Sequence, residues 1–409
     1  MILRLIIILS FFGSAIAMEI DEKLSYIQKI YSLSPKNCNN TIASSASTDE
    51  IKIGELLFSS KLLSGNNDIA CINCHLDEFH AADGLPLAIG AGGKGKGIDR
   101  VYHGQGSIVA RNAISLIGSG HKSNRQFFWD GKVSRDEDDN RYSPLGKNIS
   151  EKFENTLAIA AILPITERDE LVGSSSLFKS NEIRKAVNNN YYDDKFNAVS
   201  EQISKRLTDL DSSNELKTLL SQMDQKNLDL VDVGNFLSKF IANKFKCNES
   251  KFDKYLKGDN EALTDNEKKG AILFYGKGRC ASCHSGELFS DNKFHSIGVY
   301  QGDFGPHPRH RDIGRAGVTY RLEDEFKFRT PKLIDISKTA PYGHNGAFST
   351  LKDVVVYHFN PIIYLRDISN LTIFSPLTPT LDSRDKVLST IRISDDDELN
   401  NLISFLNTL

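Results

Sequence analysis

The sequence predicts a mainly α fold built as two helical domains, and three observations predict it. The segment TDEIKIGELLF, Thr48 to Phe58, is echoed by TDNEKKGAILF, Thr264 to Phe274, as a degenerate internal repeat. Apolar residues recur three and four apart in FNAVSEQISKRL, in VDVGNFLSKFIANKF and in the closing SDDDELNNLISFLNTL, which is the period of an amphipathic helix. Alternating strand patterns are few. A chain of 409 residues with 40% hydrophobic and 25% charged residues has the length for two or three domains and the composition to fill their cores. Its 50 Lys and Arg against 53 Asp and Glu leave a net charge of -3, no field to concentrate a polyanion, so no nucleic-acid partner is expected.

Taken in order, MILRLIIILSFFGSAIA carries one arginine, an apolar run and Ala15 and Ala17 in an A-x-A pattern, so residues 1–17 read as a cleavable export signal. An uncleaved anchor is the weaker reading, because about 12 apolar residues fall short of the ~20 that span a bilayer. The expected mature chain starts at Met18, lies in the periplasm and has no membrane span. In the first repeat Thr48 stands at the helix start before Ile51; in the second, Thr264 and Glu267 form a capping box. LAIAAILPI, Leu157 to Ile165, is a short buried helix closed by Pro164. Glycine-rich Ala88 to Gly97 and the span from Gly298 to Gly314 exclude regular helix and suggest long loops around buried groups. The last helix is capped by Ser394, with Leu399, Ile403, Leu406 and Leu409 on one face. The domains expected are 18–258 and 259–409, meeting near Lys257 to Asp259.

Four of the six cysteines fall into two C-x-x-C-H strings, Cys71, Cys74 and His75, then Cys280, Cys283 and His284. Thiols at i and i+3 match the two vinyl groups of one haem, and the histidine at i+4 supplies the proximal nitrogen to iron. A thioredoxin-type pair, a zinc site or structural disulfides would leave the histidine after both pairs unexplained. Two covalent c-type haems are therefore expected, one per domain, in cytochrome c-like surroundings. Cys38 and Cys247 flank the first domain; a disulfide and two unpaired thiols are both open. Methionine is confined to Met1, Met18 and Met223.

The ordered motifs IGELLF and LLSG before CINCH, then DGLPLAIG, ARNAISL, FFWDG and SKFDKYLKGD, and in the second half GRCASCHSGELFSD, FRTPKL and TAPYGHNG, resemble the bacterial dihaem cytochrome c peroxidases and their MauG-type relatives. The resemblance covers nearly the whole mature chain. It implies that peroxide reacts at the first haem and that the second carries electrons. Where some relatives place a capping histidine after the D-x-L-P-x-x-I-G loop, this chain has Ala91, which implies an open sixth position over His75; His80 and His103 are the alternatives. Trp129 of FFWDG falls on the aromatic between the haems. LPITERDEL puts Glu170 on the acid/base glutamate, with Glu151 and Glu167 as competitors. Counting from His344 in PYGHNG, the sixth ligand of the second haem falls on His358, with Tyr357 as alternative. A calcium between the domains falls on Asn112 and on the carbonyls of Thr339 and Pro341.

Three functions compete on these residues. The first is reduction of hydrogen peroxide, with electrons from a small cytochrome c or cupredoxin. The second is a MauG-like oxidation of side chains on a protein substrate, and the third a dihaem electron carrier with both irons capped. Ala91 argues against the third, and the missing methionine raises the second.

Overall fold

The computed structural model describes residues 19–101, 107–173, 181–189, 192–211, 214–300, 311–362 and 379–409. The signal-like segment 1–17 and His103 lie outside them. No helix among the described residues is long and apolar enough to cross a membrane.

Helices make up most of the regular structure, and those named here are, in chain order, α1 (19–30), α2 (Thr48–Ser59), α3 (Thr156–Thr166), α4 (Glu182–Asn189), α5 (Tyr192–Thr208), α6 (Leu230–Lys244), α7 (Asp265–Tyr275), α8 (Leu351–Phe359) and α9 (Asp396–Leu406), with shorter helices, brief strands and long loop segments between them. The repeated segments are α2 and α7. Thr264 and Glu267 do cap α7 reciprocally, whereas α2 is capped one residue earlier than expected, by Ser47 with Glu50. Ser47 has a carboxylate three residues on; Thr48 has Ile51 there. The glycine at the seventh place of each repeat is a crossing point. A Cβ on Gly54 would lie 2.2 Å from Phe236 O of α6, and one on Gly270 1.9 Å from Asn401 O of α9, so only glycine lets these helices come together.

Two further expectations shift. Pro164 lies inside α3, which runs on to Thr166, and Asp395 rather than Ser394 caps α9, because the Asp395 side chain accepts from Glu398 N. Along α9, Leu399, Leu402, Phe405 and Leu406 are buried, as is Leu409 beyond its end.

The cores are two. The first gathers Ile53, Leu57 and Phe58 of α2 with Leu157, Ile159 and Ile162 of α3, Val199 and Ile203 of α5, and Phe236, Leu237 and Phe240 of α6. The second is aromatic: Phe274 of α7 meets Phe405 of α9 at 5.3 Å, and Phe252 meets the same ring edge-on at 5.1 Å. Cys247, Phe252 and Tyr255, which precede the expected boundary at 258, pack in the second core, and so does Leu24. The segment 19–41 is fastened there. Tyr255 Oη donates to Asp21 (3.0 Å), Lys268 pairs with Asp21 (2.9 Å), Tyr31 Oη donates to Tyr275 O (2.8 Å), and Lys36 forms a buried ion pair with Asp253. A disulfide joins Cys38 to Cys247.

Little strand is present. β1 (Gln126–Phe127), β2 (Val133–Arg135) and β3 (Arg141–Tyr142) form an antiparallel sheet, and β4 (Phe294–His295) pairs with β5 (Phe328–Arg329). The β1–β2 turn carries Trp129, whose carbonyl accepts from Arg329 N at 2.8 Å.

Candidate haem sites

The first string is a single 3-10 turn, Cys71–Asn73, followed by Cys74 and His75. His75 Nδ1 is held by Ala81 O at 2.8 Å, which fixes the ring and leaves Nε2 as its only free nitrogen. That is the arrangement a proximal haem ligand needs. Both thiols are unpaired, and burial pushes each up to about 12. His80 follows the string in a left-handed conformation, one residue before Ala81, whose carbonyl anchors His75.

Two segments meet near this string. Ala91 is fully buried, and its N–H donates to Glu170 O at 2.8 Å; a Cβ on Gly90 would lie 1.8 Å from Asp169 O. Glu170 sits in a single π-helical turn, Arg168–Val172, directly after α3. The alanine and the glutamate singled out from sequence are thus neighbours. Burial pushes the Glu170 carboxyl up to about 7, against the opposing pull of Lys132, and its charge acts on both Cys71 and Cys74. Its competitors are engaged elsewhere: Glu167 pairs with Lys132 at 2.9 Å, and Glu151 stands exposed beside Lys147.

The second string repeats the first. Cys280–Ser282 form the turn, and His284 Nδ1 is held by Phe289 O at 3.0 Å. Cys280, Cys283 and His284 open into a cavity that His358 of α8 also lines. His358 Nδ1 is held by Val354 O at 2.6 Å, and the charge of His358 acts on His284, which burial already pushes down to about 4. Tyr357 points elsewhere: it is buried against Phe348, and its hydroxyl donates to Gly298 O at 2.7 Å. One group of potential metal donors among the described residues, Cys283, Asp291 and His295, adjoins this cavity. Its imidazole is clamped between Asp291 and Asp385, whose hydrogen bonds push it up to about 11, and its thiol belongs to the string.

Trp129 lines the second cavity, and its Nε1 donates to Asn112 O at 3.0 Å. Asn112, Thr339 and Pro341 also line this cavity. Asn112 commits its amide N–H to Leu85 O (2.8 Å), so its Oδ1, a neutral oxygen of the kind a hard cation takes, is not used in that bond. Sequence reasoning passed over the neighbour of Asn112. Arg111 forks onto Asp312 (2.7 and 2.8 Å) and reaches Asp130 (2.6 Å), tying the residue after Trp129 to the second half of the chain. Burial opposes this charge, but the two carboxylates hold Arg111 above its usual range.

Residues 48–261 match the family model described as di-haem cytochrome c peroxidase, just over half the chain. The chain belongs to that family. Among the relatives, the cytochrome-c peroxidase IdrP2 of Denitromonas iodatirespirans is 25% identical over 77% of this chain and 75% of its own. The methylamine utilization protein MauG of Methylophilus methylotrophus is also 25% identical, over 78% and 75%. A crystal structure of a MauG-like protein associated with microbial copper homeostasis superposes with a TM-score of 0.59 at 22% identity, covering 93% of both chains. The diheme peroxidase BthA of Burkholderia thailandensis gives 0.57 at 18% identity, over 89% of this chain and 86% of that one. These likenesses bear out the mainly helical fold and a peroxidase-type oxidoreductase that uses haem.

Proposed function

We propose that this di-haem peroxidase reduces hydrogen peroxide to water at the first string and receives its electrons through the second. The junction of Ala91 with Glu170 carries the reading: a residue whose side chain has no donor atom is bonded through its N–H to the backbone carbonyl of a glutamate whose buried carboxyl is pushed up to about 7. Haem iron supplies the open coordination position and the redox chemistry, and the protein supplies the rest. Cys71 and Cys74 anchor one haem as thioethers, Cys280 and Cys283 the other. His75 and His284 would each hold one iron through Nε2, and His358 would hold the second iron as well. Glu170 takes a proton from one peroxide oxygen and returns it to the other; two electrons and two further protons complete two waters. Trp129 relays electrons between the sites. Asn112, Thr339 and Pro341 hold calcium, and residues 1–17 direct export to the periplasm, where a small cytochrome c or cupredoxin is the donor.

One observation favours a second reading, the MauG-like oxidation of a protein partner. The second cavity offers imidazole, not thioether, as sixth ligand, and such ligation lowers the iron potential. Turnover with peroxide and reduced cytochrome c, without prior reduction of the enzyme, separates the two. Steady consumption of the donor supports the peroxidase; no consumption, with peroxide-dependent oxidation of a protein partner, refutes it.

A further inference from the structure

The cavity of the second string contains two cations that no carboxylate among the described residues pairs with directly. Arg329 of β5 and Lys332, three residues on, both line it. Arg329 is 4% exposed; its Nη1 donates to Gln126 O at 2.5 Å, and its Nε is buried with no hydrogen-bond partner among the described residues. Lys332 Nζ donates to a single neutral acceptor, Ser119 Oγ, at 2.9 Å. The contrast with Arg111 is sharp, since that guanidinium meets two aspartates a short distance away. Burial pushes Arg329 down to about 10, against the pull of the Asp130 charge, and pushes Lys332 well below its usual range, where the charge of Arg329 lowers it further.

Two adjacent cations held out of water without an anion are costly, and an orphaned guanidinium N–H costs more. Such a pair belongs to a site that an anion completes. The only group expected in this cavity that brings carboxylates is the haem itself, through its propionates. We infer that Arg329 and Lys332 form the seat of a propionate of the second haem, Arg329 through its unpartnered Nε and Lys332 through the ammonium protons that Ser119 leaves free. The inference rests on the reading that Cys280, Cys283 and His284 hold a haem. Because Gln126 and Ser119 come from the first half of the chain, the seat is assembled by both halves beside Trp129. Two positive charges there favour the reduced form of this haem and draw electrons toward it.

The test uses the haem-loaded full chain. Lys332→Gln and Arg329→Gln are compared with the unsubstituted protein by intact mass, redox titration of the low-spin haem, and resonance Raman of the propionate-bending modes, none of which requires turnover. Two haems should remain, the bending modes should shift, and the reduction equilibrium should fall about tenfold, which is about 59 mV for one electron. Lys332→Arg should restore most of the potential. Variants that keep both haems and the low-spin signal, yet move neither modes nor potential, overturn the inference and leave the haem reading standing. An unsubstituted protein with no haem on Cys280 and Cys283 overturns both. If the glutamine variants do not fold, Arg329→Lys decides: it keeps the charge but loses the Nε contact, so shifted modes support the seat and unchanged modes refute it.

Discussion

Replacing Glu170 with Gln keeps shape and removes the proton acceptor. In the unsubstituted protein burial pushes this carboxyl up to about 7, so it is about one tenth ionised at pH 6 and about nine tenths at pH 8. If the ionised form is the base, the rate of the peroxide reaction should rise roughly tenfold between those values and level off above. Glu170→Gln should lower the rate by roughly 100-fold or more and abolish the pH limb, with both haem spectra intact. Stopped-flow mixing with peroxide from pH 5.5 to 8.5 reads both effects. Stability gives an independent check. A carboxyl whose folded value is raised favours the fold while protonated; that contribution is full below about 4.5 and lost as pH rises through about 7. Glu170→Gln, which mimics the protonated form, should therefore raise the unfolding temperature above pH 7 and leave it unchanged near pH 4. A flat rate profile, or a Gln variant that retains it while Glu167→Gln destroys it, would refute the assignment.

Tyr357→Phe should cost about 1 kcal/mol for the lost bond to Gly298 and leave the low-spin signal in electron paramagnetic resonance unchanged, whereas His358→Ala should convert that signal to high spin. Gly270→Ala forces a Cβ to within 1.9 Å of Asn401 O, so denaturant unfolding should show about 1–3 kcal/mol of destabilisation, and Gly54→Ala a similar loss. Cys38→Ser combined with Cys247→Ser should cost about 2–5 kcal/mol in the same assay.

What was legible in the sequence was whatever local geometry or chemistry fixes to a spacing. The haem strings belong here, because two vinyl groups and one iron dictate where cysteines and histidine stand. The helix periods of α6 and α9 belong here too. Ala91 and Glu170 are 79 residues apart along the chain; the family resemblance singled out each from its own motif, and the fold brings their backbones into hydrogen-bond contact. The misplaced caps at Thr48 and Ser394 show the limit of local spacing: a neighbouring Ser47 or Asp395 served the same orphan N–H groups better. Arg111 and Asp312 left no local trace, since their meeting depends on two loops 201 residues apart. Arg329 and Lys332 sit in the quoted FRTPKL, but a charged pair in a loop reads as solvated surface until the tertiary fold encloses it.

The fastening of residues 19–41 to the second core makes that core discontinuous, with the whole first core, Ile53 to Phe245, inserted between its parts. An N-to-C growing chain can complete the inserted unit as soon as α6 is available. The outer unit cannot close until Phe405 and Leu406 of α9 arrive, although Asp21 and Tyr31 emerged long before. The early segment must wait, apolar side chains such as Leu24 uncovered, through nearly the entire synthesis. Assembly therefore has a built-in order, and the half that carries the second C-x-x-C-H string is the last to become structured.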